Sequence, residues 1–110
     1  MPEQSNIWLW DAANSVWVEA SVVVVTKRMT DTGQVITGAH RLYWVNSTPS
    51  AGNSVLEVTD DTDGLSAIIY DCFHTTRESH VHNLNPPMPF SNGIYIKTLT
   101  NYGSVIFGYV

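Results

Sequence analysis

Apolar positions along this chain recur at a period of two in short runs, and turn-forming residues separate the runs. In Leu56-Glu57-Val58 the charged residue points to water and its neighbours point inward. In Ile94-Tyr95-Ile96-Lys97 the isoleucines share a face opposite Lys97, which makes Ile94 and Ile96 core candidates. In Ile68-Ile69-Tyr70-Asp71-Cys72 the aspartate marks the wet face, so Ile68, Tyr70 and Cys72 face in. No window carries a helical i, i+3, i+4, i+7 apolar stripe of useful length. Strands are predicted over 7–10, 16–19, 22–26, 41–45, 55–59, 66–73, 93–98 and 104–110, with shorter and less regular candidates at 34–37 and 79–83. Turns are expected at 11–15, 29–33 and 60–64, at Asn92-Gly93 and at 101–103, and a loop over 47–53 that contains Pro49 and Gly52. The segment Asn85-Pro86-Pro87-Met88-Pro89 cannot lie in a central strand, because its three prolines donate no backbone hydrogen bond. Eight or nine short antiparallel strands with turns between them make an all-β sandwich or small barrel.

Two segments break the in/out rule. Ile7-Trp8-Leu9-Trp10 and Val22-Val23-Val24-Val25 are apolar on both faces, whereas a strand covered on one side alternates with polar residues. Either these segments lie at the centre of the domain, or their second face meets another molecule. Trp8, Trp10 and Trp17 also crowd into ten residues. They form either a tryptophan-rich core or the aromatic centre of an interface. Ile7, Trp8, Leu9, Trp10 and Trp17 are therefore the candidate partner-binding residues. Residues 1–110 are expected to form a single β-sandwich domain, with 1–20 a Trp-rich hairpin or arm and 21–110 the body.

Composition agrees with the pattern. Val, Ile and Thr number 13, 7 and 11, so 31 of 110 residues are β-branched and favour a pleated surface over a helix. Lys and Arg total 5 against 10 Asp and Glu, a formal charge of −5, and no basic nucleic-acid footprint is present. Val22 to Val25 is the longest aliphatic run, far short of the roughly 20 residues that span a bilayer. Met1-Pro2-Glu3-Gln4 offers no basic start, so no secretory signal is expected. The single cysteine, Cys72, excludes an internal disulfide.

Candidate chemistry is sparse. On a strand His80 and His82 share a face and could hold one metal ion, with His74 or His40 as a third ligand. Without a Cys pair or a His-Glu-x-x-His pattern, the favoured reading is two solvated histidines on a partly exposed strand. Asp60-Asp61-Thr62-Asp63-Gly64 resembles a calcium loop. With Gly64 at the sixth position, however, Thr59 and Tyr70 fall where an EF-hand needs an acid and a glutamate. The favoured reading is an acidic hairpin turn, with weak cation binding left open. Cys72 lies on the apolar side of its strand, where thiols are usually inert, and no nucleophile elbow or phosphate-cradling loop occurs. The chain is read as non-enzymatic, without metal or cofactor. Tyr43, Trp44, Tyr95 and Tyr102 could stack on sugar rings, so a carbohydrate- or host-surface-binding module of a phage tail or fibre is the alternative reading.

From Thr37 to Val110, about two-thirds of the chain, several segments resemble one family. They are Leu42-Tyr43-Trp44-Val45, a Ser/Gly loop, Leu56-Glu57-Val58-Thr59-Asp60, Pro86 through Ile96 with its Phe90-Ser91-Asn92-Gly93-Ile94-Tyr95 turn, and Gly103 through Val110. This layout is similar to the small all-β virion proteins of tailed bacteriophages, including capsid decoration or cement proteins. The resemblance implies a jelly-roll-like sandwich that assembles, often as a homotrimer, on the capsid surface by binding the major capsid protein. It brings no catalytic residues, and the first twenty residues lie outside it.

Overall fold

The computed structural model describes residues 7–11, 15–20 and 24–110, the first two stretches as backbone. Among the described residues there is no helix, so none is long and apolar enough to cross a membrane. Ten strands follow one another: β1 Ile7–Asp11, β2 Val16–Ala20, β3 Val25–Met29, β4 Gly33–Thr37, β5 His40–Pro49, β6 Ser54–Thr59, β7 Ile68–His74, β8 His80–Phe90, β9 Gly93–Thr100 and β10 Tyr102–Tyr109. β1 and β2 pair only with each other. The remaining eight form two antiparallel four-stranded sheets, ordered β3-β10-β5-β8 and β4-β9-β6-β7.

The pairing is nested. β3 pairs with β10, β4 with β9, β5 with β8 and β6 with β7. The chain from Val25 to Tyr109 is therefore one long double-stranded ribbon whose outermost strands meet each other. Two further pairings, β10 with β5 and β9 with β6, roll the ribbon into two packed sheets. This is the eight-strand jelly roll. The hairpin raises the strand count to ten.

The core is where the two sheets face. Leu42, Val45, Leu56, Val58, Ile94, Ile96, Val105 and Phe107 are at most 1 % exposed. Each such side chain contributes roughly 1.5–3 kcal/mol by leaving water. The alternation expected for Leu56/Val58 and for Ile94/Ile96 is what the sheets bury. Ile68 departs from it. Expected inside, it is 38 % exposed, because it opens β7 at the margin of a sheet, where the opposite sheet no longer covers it.

Several boundaries also differ from the sequence pattern, two of them by many residues. β5 runs on through Pro49, with Ser47 and Pro49 buried, because Thr48 and Pro49 pair with Ser104 and Tyr102 of β10. The loop expected over 47–53 therefore starts later. The proline segment belongs to β8, an edge strand, where missing donors face no neighbour. Leu42 pairs with Met88 and Trp44 with Asn83, so residues 84–87 bulge opposite Tyr43 alone.

A knot of polar groups closes one end of the roll. Asp60 accepts backbone hydrogen bonds from Ser91 at 2.9 Å, Asn92 at 2.7 Å and Gly93 at 3.2 Å, and so ties the end of β6 to the β8–β9 turn. Asp61 accepts from the Thr59 hydroxyl at 2.7 Å, from Gly64 N–H at 2.9 Å and from Ser66 N–H at 2.7 Å. Gln34 Nε2 donates to the carbonyls of Ile36 at 2.7 Å and Ile94 at 2.8 Å. Gly93 sits among these groups at φ 153°, where a Cβ would stand 2.9 Å from Gln34 Nε2 and from Ile36 O. Burial raises the pKa of both aspartates, but their hydrogen bonds outweigh it and hold both below the ordinary 3.8.

A carboxylate with a depressed native pKa stabilises the fold fully above its unfolded value and loses that contribution as pH falls through the native one. Thermal melts are therefore expected to fall steeply as pH drops below the ordinary 3.8, and Asp60→Asn and Asp61→Asn to flatten that fall. Phe107→Ala, at the centre of the core, is expected to cost about 3–5 kcal/mol in denaturant unfolding.

Candidate functional site

Three regions bear on function: the hairpin, the sheet margins and the seam between β7 and β8. In the hairpin, Ile7 pairs with Ala20, Trp8 with Glu19, Leu9 with Val18 and Trp10 with Trp17. Direct partners share a face, and so do residues two apart. The register thus assigns Trp8, Trp10 and Trp17 to one face of the ribbon and Ile7 and Leu9 to the other. The side chains of these five sequence-predicted residues lie outside the described residues.

The body leaves large apolar side chains exposed at its margins. Ile69 and Phe73 on β7 are 42 % and 58 % exposed, and Val81 on β8 is 62 % exposed. On the opposite side, β3 is exposed along most of its length, and Val25 is 50 % exposed. Of the two readings open for the four-valine run, a central buried strand does not hold for Val24 and Val25, both exposed. Val22 and Val23 lie outside the described residues. Strand β3 is an edge strand with a single neighbour, β10, so its far edge has no sheet partner among the described residues.

Between the edge strands β7 and β8 lies a shallow cavity of about 180 Å³, lined by Ser47, Tyr70, Cys72, His74, His80 and His82 among others. The rings of His74 and His80 stack 3.9 Å apart and within 6° of parallel. The Tyr70 hydroxyl and His82 Nδ1 share a 2.8 Å hydrogen bond. Cys72 Sγ and the Tyr102 hydroxyl lie 3.3 Å apart, and Ser47 Oγ lies 3.3 Å from His74 Nε2. As expected for a partly exposed strand, His82 of β8 is exposed and His80 half-buried, but both also have side-chain partners. They pair across the seam with side chains of the other sheet, a relation that strand alternation cannot display.

Burial pushes the Tyr70 and Tyr102 phenols and the Cys72 thiol above their ordinary values. A thiol so raised is mostly protonated at neutral pH and is a poor nucleophile. Among the described residues, no group of three or more His, Cys, Asp or Glu side chains is disposed to hold a metal ion. In the acidic turn, Asp60 and Asp61 spend their oxygens on N–H and hydroxyl groups, and Asp63 accepts from Leu65 N–H at 3.0 Å.

The four aromatic residues considered for sugar stacking do not form one platform. Tyr102 is buried beside Cys72. Tyr95 lies against Gly64. Tyr43 lines a depression with His40, Phe90 and Val110. Trp44 stands apart on the outer face of β5, beside Asn46, Val81 and Asn83. No protein-family model matches the chain, and neither a curated protein nor a solved structure does.

Burial, and then the neighbouring His80, lower the pKa of His74 below the ordinary 6.5. The unfolded chain then binds the proton more readily than the folded one. Stability is fully present above 6.5 and is lost as pH falls through that value toward the depressed native one. Melting temperatures taken across this window are expected to fall with pH. His74→Phe keeps a ring against His80 but removes the titration, and is expected to flatten the fall.

Proposed function

We propose that the protein is a structural virion subunit that decorates and stabilises a bacteriophage capsid. In this reading the Trp-rich hairpin grips the major capsid protein, and the margins of the jelly-roll body contact other copies of the chain. One observation carries it: the exposed apolar side chains sit on sheet margins. An edge strand offers a row of unpaired N–H and C=O groups, and apolar side chains beside them invite association. A chain that functions alone blunts such edges with charge or covers them. On β7, Ile68, Ile69 and Phe73 are all exposed, and the sole charged residue of the strand is Asp71.

Geometry favours a closed ring of copies. The β7/β8 margin and the β3/β4 margin lie at opposite sides of the sandwich. A contact between unlike margins is head-to-tail, and such contacts close into a ring when the rotation permits. A homotrimer on a local three-fold of a shell fits this, as does the low charge of the chain. Stability and binding then arise from buried apolar area rather than from a reactive group.

Purified protein added to capsids that lack it is expected to bind saturably and to raise the temperature at which the shells break. Trp8→Ala and Trp10→Ala are expected to weaken that binding. Phe73→Glu is expected to shift the free protein from oligomer to monomer in sedimentation. A protein that is monomeric and leaves shell stability unchanged would rule the assignment out.

A further inference from the structure

Four strands edge the two sheets of the body, and two of them carry charge. β4 has no ionisable residue, and β8 has histidines but neither acid nor Lys or Arg. β3 carries Lys27 and Arg28, two of the chain's five basic residues, both exposed. β7 carries Asp71, also exposed. Each of these two strands has a single sheet neighbour, β10 for β3 and β6 for β7. Each therefore keeps one row of backbone N–H and C=O groups without a sheet partner among the described residues.

Register fixes the faces these charges occupy. Arg28 pairs with Ile106 of β10, which lies between the core residues Val105 and Phe107, so Ile106 and Arg28 share the outer face. On β7, Tyr70 is buried and Asp71 exposed; Phe73 shares the outer face with Asp71, and Ile69 is exposed as well. Asp71 stands directly opposite Glu57 of β6, whose partner on β9 is Thr98. Two carboxylates thus face each other across neighbouring strands, an arrangement that weakens a sheet. Lys97 falls in the bulge after Thr98 and stands opposite neither of them. The β7 margin is therefore acidic and apolar, and the β3 edge is basic.

We propose that the edge of β3 in one copy docks along the edge of β7 in the next and continues its sheet. The inference rests on the proposed assembly of copies and names the two surfaces that meet. The free backbone groups of the two edges bond to each other, as in any added strand. Arg28 comes beside Asp71 and Glu57 on the outer face, and its aliphatic stem covers part of Phe73. The same charges oppose the symmetric contacts. Two β3 edges would set Lys27 and Arg28 against their own copies, and two β7 edges would set Asp71 and Glu57 against theirs, both with like-charge repulsion. The contact is therefore head-to-tail between unlike edges, the kind that closes into a ring.

The test is sedimentation of the full chain up to millimolar concentration, with variants that invert single charges. The parent is expected to associate, and less so in high salt. Arg28→Glu, Lys27→Glu and Asp71→Arg are each expected to weaken association about tenfold or more. Arg28→Glu and Asp71→Arg combined in one chain are expected to restore it, because each edge again meets its opposite; damage to the fold would not recover in this way. Arg41→Glu makes the same change of net charge on the interior strand β5 and is expected to leave association unchanged. Circular dichroism confirms that each variant is folded. The proposal is overturned if the parent stays monomeric, if the folded single variants associate as the parent does, or if the combined variant does not recover. Saturable binding to capsids in any of those cases leaves the capsid assignment standing without this contact. Association that follows the charges, with no binding to capsids, leaves this contact standing and removes the capsid assignment.

Discussion

The position of β10 between β3 and β5 is the constraint on which the rest of the molecule depends. An antiparallel strand with two neighbours has both rows of backbone groups satisfied, and β10 alone joins the first strand of the body to the third. Its inner face supplies Val105 and Phe107 to the core. Its outer face supplies Gly108, over which Trp44 lies. Because β10 occupies the middle, β3 and β8 become the margins of their sheet. The exposure of Val25 on β3 and of Val81 on β8 follows from that placement.

The acidic turn shows how ionisable residues can be structural without being reactive. Three carboxylates in four residues suggest a cation site while only the sequence is in view. In the fold, two of them hold the roll shut. Asp60 reaches residues more than thirty positions away, at the β8–β9 turn, and Asp61 organises its own turn through Thr59, Gly64 and Ser66. Oxygens already engaged by short hydrogen bonds are poorly placed to serve a cation. The seam at β7 and β8 tells a related story, since its tyrosines, thiol and histidines are partners of one another, and burial favours the neutral forms of Tyr70, Tyr102, Cys72 and His74.

A small sandwich has more margin than a large one in proportion to its core. The edge strand β3 carries the exposed charges of Lys27 and Arg28, the usual protection of an edge, whereas β7 exposes Ile69 and Phe73 where a solitary molecule would gain from lysine. An assembly resolves that tension by covering the edges with further copies or with a shell.

Alternation, turn residues and β-branched content made the sandwich legible in the chain itself, because a strand's in/out pattern is a local property with a period of two. Leu56, Val58, Ile94 and Ile96 were readable as core for that reason, and the prolines of 86–89 as unfit for a central strand. Strand order was beyond such reading, since it depends on which distant segments pair. So were Ile68's exposure at a margin, the passage of β5 through Pro49 and the meeting of His74 with His80. Asn46 shows the limit most clearly, since its side-chain oxygen is shut off from solvent with no hydrogen-bond partner among the described residues. An asparagine in a run of strand residues carries no local mark of an unpaired acceptor, because only the packing of Trp44, Ile106 and Val81 around it decides whether water can reach its oxygen.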